Sequence, residues 1–310
     1  MKISILIGFC YDNIEKNKLP GIVIDLYLAY KMSLQMKSDQ IIIITDLNKD
    51  QNTIILLNAI TEGIVDAGIL NFIENIKKKN IYHKFTDKIF LVELLETLVK
   101  CMDQIFIYYT GHLFKDNIIL PNNNNIISKS SAQLPDDQET ISVNNFRDII
   151  LINSNKKSEI FIVMDCCNGS GLWLPYKLEN NHYYLNSNYL ENFPSQKLVC
   201  FSSTMKNEDS IASRDGSIFS VLFFKQIKNR IQSIPKILKI LEPECCKFQQ
   251  TPNVFSSRPN LKILWNWLFN DLNFNVKIDY YTNTICIKNK KDNLNNKNSC
   301  CNETICMNGS

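Results

Sequence analysis

Six short runs rich in Ile, Val and Phe punctuate this chain, and the stretches between them carry apolar residues at helical spacing. The runs are Ile3–Phe9, Gln40–Thr45, Gln104–Tyr109, Glu159–Met164, Lys197–Ser202 and Asn253–Ser256. Helical periodicity falls on Ile22–Met36, Asn52–Ile60, Asp87–Met102, Val143–Asn153 and Ser217–Ile231. In the stretch from Asp87, for example, Ile89, Phe90, Val92, Leu95, Leu98 and Val99 form one stripe with a period near 3.6. Strands alternating with amphipathic helices predict an α/β fold built on a mostly parallel, six-stranded sheet flanked by helices. Pro121–Asp137 and the Tyr/Asn-rich Trp173–Pro194 read as loops. Asn275–Lys288 alternates enough to predict a hairpin, and Asn289–Ser310 reads as an irregular Lys/Asn/Cys tail.

Composition narrows the function classes. At 310 residues and 45% hydrophobic the chain can bury a full core. A formal charge of +3, with 21% charged residues, gives no reason to expect nucleic acid or an acidic membrane as partner. Eleven cysteines, an odd number and without a secretory signal, fit a reducing compartment better than a disulfide framework. Ile3–Phe9 reads as a buried strand, and no apolar run reaches the ~18 residues a membrane span needs. The expectation is a soluble, cytoplasmic protein. The paired cysteines Cys245–Cys246 and Cys300–Cys301, with Cys306, lack the C-x₂₋₄-C spacing of zinc ligands.

With three histidines in the chain, the candidates for a general base are few. His83 lies in a Lys-rich link and His182 in a polar loop. His112 alone ends an apolar strand, in Ile105-Phe106-Ile107-Tyr108-Tyr109-Thr110-Gly111-His112. Open α/β sheets place their chemistry at such C-terminal strand ends. Cys167 ends the next strand, in Phe161-Ile162-Val163-Met164-Asp165-Cys166-Cys167, and small residues follow it. Two parallel neighbours would bring a thiol and an imidazole to one rim, where the imidazole raises the thiolate fraction. Backbone N–H groups around Cys167 could then face the oxyanion. A single Cys or His at a strand end is more often packing than chemistry; the joint placement is what points to catalysis.

The pattern apolar strand–Tyr-Thr-Gly-His, then apolar strand–Asp-x-Cys with small residues after it, resembles the metacaspases of the caspase-like (clan CD) peptidases. The 55 residues separating His112 from Cys167 are close to the ~50 expected between caspase His and Cys. Leu19-Pro20-Gly21 with Asp25, Phe201-Ser202-Ser203-Thr204 through Gly216-Ser217-Ile218-Phe219, and Gln250-Thr251-Pro252-Asn253 follow in family order. The resemblance implies a caspase-like peptidase domain over residues 1–270, with 271–310 as C-terminal hairpin and tail. It also implies a His112/Cys167 dyad, with Asp-x-Cys selecting Cys167 over Cys166, and backbone donors at Leu113 and Cys167 for the oxyanion.

Further expectations follow from the same resemblance. Asp25 and Asp165, with Thr110 on the wall, would line a pocket for the residue before the cut. Paired carboxylates suit a guanidinium or ammonium group, so cleavage after Arg or Lys is expected rather than after Asp. Asp136 and Asp137 match an acidic pair in the family's calcium site. Its other ligands are poorly represented, so no required cofactor is expected and calcium only weakly. Lys177 and Lys197 are candidate self-cleavage points. The expected partners are protein or peptide substrates, with no nucleic acid or membrane, and the chain is expected to be a monomer. Leu113 stands where the family has Gly, and Asn168-Gly169 where it has His-Ser. These departures keep open an inactive caspase-like protein that acts by binding; a legumain- or separase-like peptidase is a further alternative.

Overall fold

The computed structural model describes residues 1–11, 18–19, 21–47, 68–72, 82–121, 140–167, 174–187, 189, 193–213, 216–227, 234–259, 261, 274–279 and 284–289. The helix expected at Asn52–Ile60 and the loop after Pro121 lie outside these residues. Among them, the six expected strands are present: β1 (Lys2–Gly8), β2 (Gln40–Thr45), β4 (Gln104–Thr110), β8 (Glu159–Asp165), β11 (Lys197–Ser202) and β14 (Asn253–Ser256). Three short strands extend the sheet, β3 (Tyr82–Lys84) at one edge and the hairpin β9 (Tyr176–Glu179) and β10 (His182–Leu185) at the other. The order is β10-β9-β14-β11-β8-β4-β1-β2-β3. The six strands from β11 to β3 pair in parallel, and β14, β9 and β10 pair antiparallel.

Strand alternation sends successive side chains to opposite faces, and each face builds its own core. Phe106 and Tyr108 of β4 and Phe161 and Val163 of β8 join α1 (Ile22–Gln35), α4 (Ile218–Ile227) and α5 (Ile234–Cys246) on one side. Ile105, Ile107 and Tyr109, with Ile160, Ile162 and Met164, join α2 (Lys88–Leu98) and α3 (Val143–Asn153) on the other. Each fully buried Ile or Phe contributes roughly 1.5–3 kcal/mol, so neither face can slip register by one residue without inverting this set. The helix caps agree with the sequence: Asp87 accepts from Phe90 N–H at 2.8 Å, and Ser142 from Asn145 N–H at 3.1 Å.

Two expectations change here. The segment read as a loop, Trp173–Pro194, contains β9 and β10, whose polar outer faces hid the alternation. Lys177 and Lys197 therefore sit in strands, each ion-paired, to Glu179 at 2.8 Å and Glu159 at 3.1 Å. A peptidase takes its substrate as an unpaired extended segment, so cleavage at either lysine would require its strand to leave the sheet. A small sheet of β5 (Leu113–Phe114), β6 (Asn117–Ile119) and β7 (Thr140–Ser142) follows β4. Near the C-terminus β15 (Phe274–Asp279) and β16 (Thr284–Asn289) form the expected hairpin.

Candidate active site

From β1 the chain passes through α1 to β2, on one side of β1 and one face of the sheet. From β4 it passes through α3 to β8, on the other side and the other face. This reversal between β1 and β4 is a topological switch point, and the C-terminal strand ends there are the usual position of a site in an open α/β sheet. His112, Cys167, Thr110, Asp165 and the residues after β1 all arrive at this rim. The register Thr110↔Asp165 sets the ends of β4 and β8 level. The other histidines are elsewhere. His83 on β3 is three strands from β4, and His182 on β10 four strands from β8. At ~4.8 Å per strand that is ~14 and ~19 Å.

His112 is half-buried and its backbone is fixed from three directions. The Tyr109 hydroxyl (2.9 Å) and the Ile119 N–H (3.1 Å) donate to its carbonyl, and its own N–H donates to the Tyr11 hydroxyl at 2.9 Å. The Tyr11 and His112 rings lie 4.5 Å apart. Gly111 makes the turn possible: it has φ +155, and a Cβ there would come within 2.9 Å of the Tyr109 hydroxyl and 3.0 Å of Tyr11's. Tyr11 is itself held in a left-handed conformation, φ 55, by Asp46. That carboxylate accepts from the Cys10 and Tyr11 amides at 2.6 and 2.8 Å. Neither Tyr11 nor Asp46 is legible in the sequence, since their partners lie more than thirty residues away.

Of the adjacent cysteines, Cys166 is sealed in the core at 1% exposure, and burial pushes its thiol well up. Its N–H is taken by Ser203 Oγ and its carbonyl by Ser203 and Thr204. Cys167 is half-buried, more accessible than Cys166. Among the described residues it bonds with Ser210, whose N–H donates to Sγ at 3.3 Å and whose carbonyl accepts from Sγ at 3.8 Å, and with the Asp209 side chain. Burial pushes this thiol up, the Ser210 N–H pulls it down, and the Asp209 and Asp165 charges push it up again.

Leu113 does not disturb the turn as its replacement of Gly suggests. Its φ is not positive, and its side chain is 5% exposed in the core with Ile118 and Ile141. In the register Leu113↔Ile118, the Ile119 N–H bonds to the His112 carbonyl. That marks a non-hydrogen-bonded pair, so the Leu113 N–H points away from β6.

Thr110 and Asp165 face the same side as α1 and α4, by the alternation of their strands. There Asp165 receives the Ser210 hydroxyl at 2.7 Å on one oxygen. The other takes the Ser220 hydroxyl at 2.6 Å, the Ser220 N–H at 3.1 Å and the Ser217 hydroxyl. Ser220 lies in the first turn of α4, where the helix dipole favours a negative group. Asp25, in the first turn of α1, is fully buried and accepts the Ser217 N–H at 2.9 Å on Oδ1. Its Oδ2 is buried without a hydrogen-bond partner among the described residues. Burial first, and the Asp165 charge second, push the Asp25 carboxyl well up; Ser217 and Thr110 oppose this. Gly216 admits the carboxylate, because a Cβ there would stand 2.8 Å from Asp25 Oδ1. Ile22, at the start of α1, is packed in the core at 1% exposure.

Asp136 and Asp137 lie outside the described residues. Among the described residues no group of three or more His, Cys, Asp or Glu is placed to hold a metal, and no helix is long and apolar enough to cross a membrane.

The sequence matches no family model, and none of the curated proteins matches it. Among solved structures the chain is similar to caspase-1 from Spodoptera frugiperda, with 11% identity over 85% of this chain and 89% of that one, at a TM-score of 0.47. It is also similar to protein GSU0716 from Geobacter sulfurreducens, with 13% identity over 88% of this chain and 100% of that one, at a TM-score of 0.46.

Proposed function

We propose that this chain is a cysteine endopeptidase of metacaspase type that cuts protein substrates after Arg or Lys. The observation that carries this reading is the level pairing of β4 with β8, Thr110 opposite Asp165, which puts His112 and Cys167 at one rim. In the reaction the Cys167 sulfur attacks the scissile carbonyl carbon while His112 takes the thiol proton. The oxyanion is received by the N–H groups of Leu113 and Cys167. Collapse of the tetrahedral adduct breaks the C–N bond, and His112 returns the proton to the leaving amine. Water, deprotonated by His112, then cleaves the thioester and restores the thiol.

The pocket reading rests on the buried carboxylates of Asp25 and Asp165 and on Asp25 Oδ2, which has no hydrogen-bond partner among the described residues. An uncompensated buried acid is costly, and a guanidinium or ammonium ion supplies the missing partner. Calcium at Asp136 and Asp137 is not required in this reading, and the enzyme acts as a cytoplasmic monomer. Fluorogenic peptides ending in Arg, Lys or Asp, run with wild type and Cys167→Ala, test it. The expected result is cleavage after Arg and Lys, insensitive to chelator and lost with Cys167. Preferential cleavage after Asp, or equal turnover without Cys167, would overturn it.

The second reading is an inactive caspase-like binding protein. The observation that favours it is the burial of the Cys167 thiol, which raises it above its ordinary range. The same assay separates the two, since this reading expects no Cys167-dependent cleavage of any of the three peptides.

A further inference from the structure

Ser210 touches both halves of the site. Its N–H donates to Cys167 Sγ at 3.3 Å, and its hydroxyl donates to Asp165 Oδ1 at 2.7 Å. That hydroxyl also accepts from Gln250 Nε2 at 3.2 Å, and Gln250 is fully buried. Two residues earlier, Glu208 accepts from the Thr251 N–H at 2.9 Å and the Thr251 hydroxyl at 2.7 Å. The loop that carries Ser210 is thus tied to the Gln250–Thr251 segment at two points and to the end of β8 at a third.

We propose that Ser210 is a positioning residue: anchored on the pocket acid Asp165, it holds its own N–H against the nucleophilic sulfur and so couples the specificity pocket to the thiol. This rests on the peptidase reading above. A donor aimed at sulfur favours the thiolate over the thiol. The groups around Cys167 largely act the other way. Asp165 precedes it on β8, Asp209 adjoins Ser210 on the facing loop, and Cys166 and Tyr109 lie on the core side. Among the described residues, His112 at the end of β4 and Tyr11 beside it are further ionisable groups of the rim, and Asp25 lies behind Asp165. Without its hydroxyl, Ser210 keeps the N–H and loses the anchor that aims it.

The test is the rate of Cys167 alkylation by iodoacetamide against pH in the full chain. Peptide masses score the exposed Cys101 and Cys246 separately. Ser210→Ala is expected to slow Cys167 about three- to ten-fold at pH 7 and move its midpoint upward, leaving Cys101 and Cys246 unchanged, since each tenfold loss of thiolate is one unit. Ser210→Thr, which keeps the hydroxyl, is expected to restore the rate. An unchanged profile for Ser210→Ala, or a Ser210→Thr rate no better than that of Ala, overturns the proposal. If Ser210→Ala opens the core, alkylation of buried Cys166 and Cys200 reveals it. Gln250→Leu then loosens the same hydroxyl from behind, and an unchanged Cys167 profile there is equally fatal. No substrate is involved, so a chain that cuts no peptide still answers this question. Peptide cleavage with an unchanged Ser210→Ala profile would sink this inference alone.

Discussion

The Tyr11 hydroxyl accepts the His112 N–H at 2.9 Å and donates its own proton to the Ile119 carbonyl at 2.8 Å. One phenol thereby ties the loop after β1 to both ends of the β4–β6 turn. Tyr11→Phe leaves the ring and removes both bonds, stranding an amide and a carbonyl in a part-buried site. The expected cost is about 1–3 kcal/mol of stability, together with a fall in kcat larger than any change in KM. Thermal melts and peptide kinetics check it; an unchanged kcat would show that the imidazole is positioned without Tyr11.

Asp25 gives a pH signature. Its carboxyl is raised in the folded chain, by burial first and by Asp165 second, so the folded state holds that proton more tightly than the unfolded state. This contribution is full below the ordinary carboxylate range and is lost as pH rises through the raised value. Asp25→Asn has no such proton and keeps an acceptor for the Ser217 N–H. The melting temperature of Asp25→Asn relative to wild type should therefore climb from pH 5 to pH 8, while affinity for Arg peptides falls. A constant difference between the two pH values would contradict the burial argument.

Leu113 tests whether the departure from Gly matters. Because its side chain is buried and its φ ordinary, Leu113→Ala should cost about 2–5 kcal/mol through a cavity. Leu113→Gly should be at least as destabilised and gain no turnover. A faster Leu113→Gly enzyme would mean that the Leu side chain obstructs substrate.

Self-processing at Lys177 or Lys197 is expected to be absent, since both are paired into the sheet. Intact mass after prolonged incubation should match that of Cys167→Ala. A Cys167-dependent cut at either lysine would require that edge of the sheet to open.

The legibility of this fold tracked burial. The six expected strands are legible because most of their residues are buried, which favours Ile, Val and Phe along them. The β9–β10 hairpin did not, for Tyr176–Leu185 sits at an edge where half its residues meet water. Helix α5 was missed because Pro243 lies inside it and obscures its apolar positions Ile234, Ile237, Leu238, Leu241 and Cys245. The residues His112, Cys167, Asp25, Thr110 and Asp165 could be named from motif and strand end. The roles of Ser210, Ser217, Ser220 and Tyr11 could not, because each acts through a contact spanning 43 or more residues.

Asp46 shows how far the influence of this site extends. It follows β2, away from β4 and β8, yet it accepts hydrogen bonds that hold the backbone of Cys10 and Tyr11, and Tyr11 in turn holds His112. In a saturation mutagenesis scan scored on turnover, position 46 would rank beside the nucleophile and base. In a scan scored on ligand binding it would pass unnoticed, and the distance between those two rankings measures how much of the catalytic geometry is built at second hand.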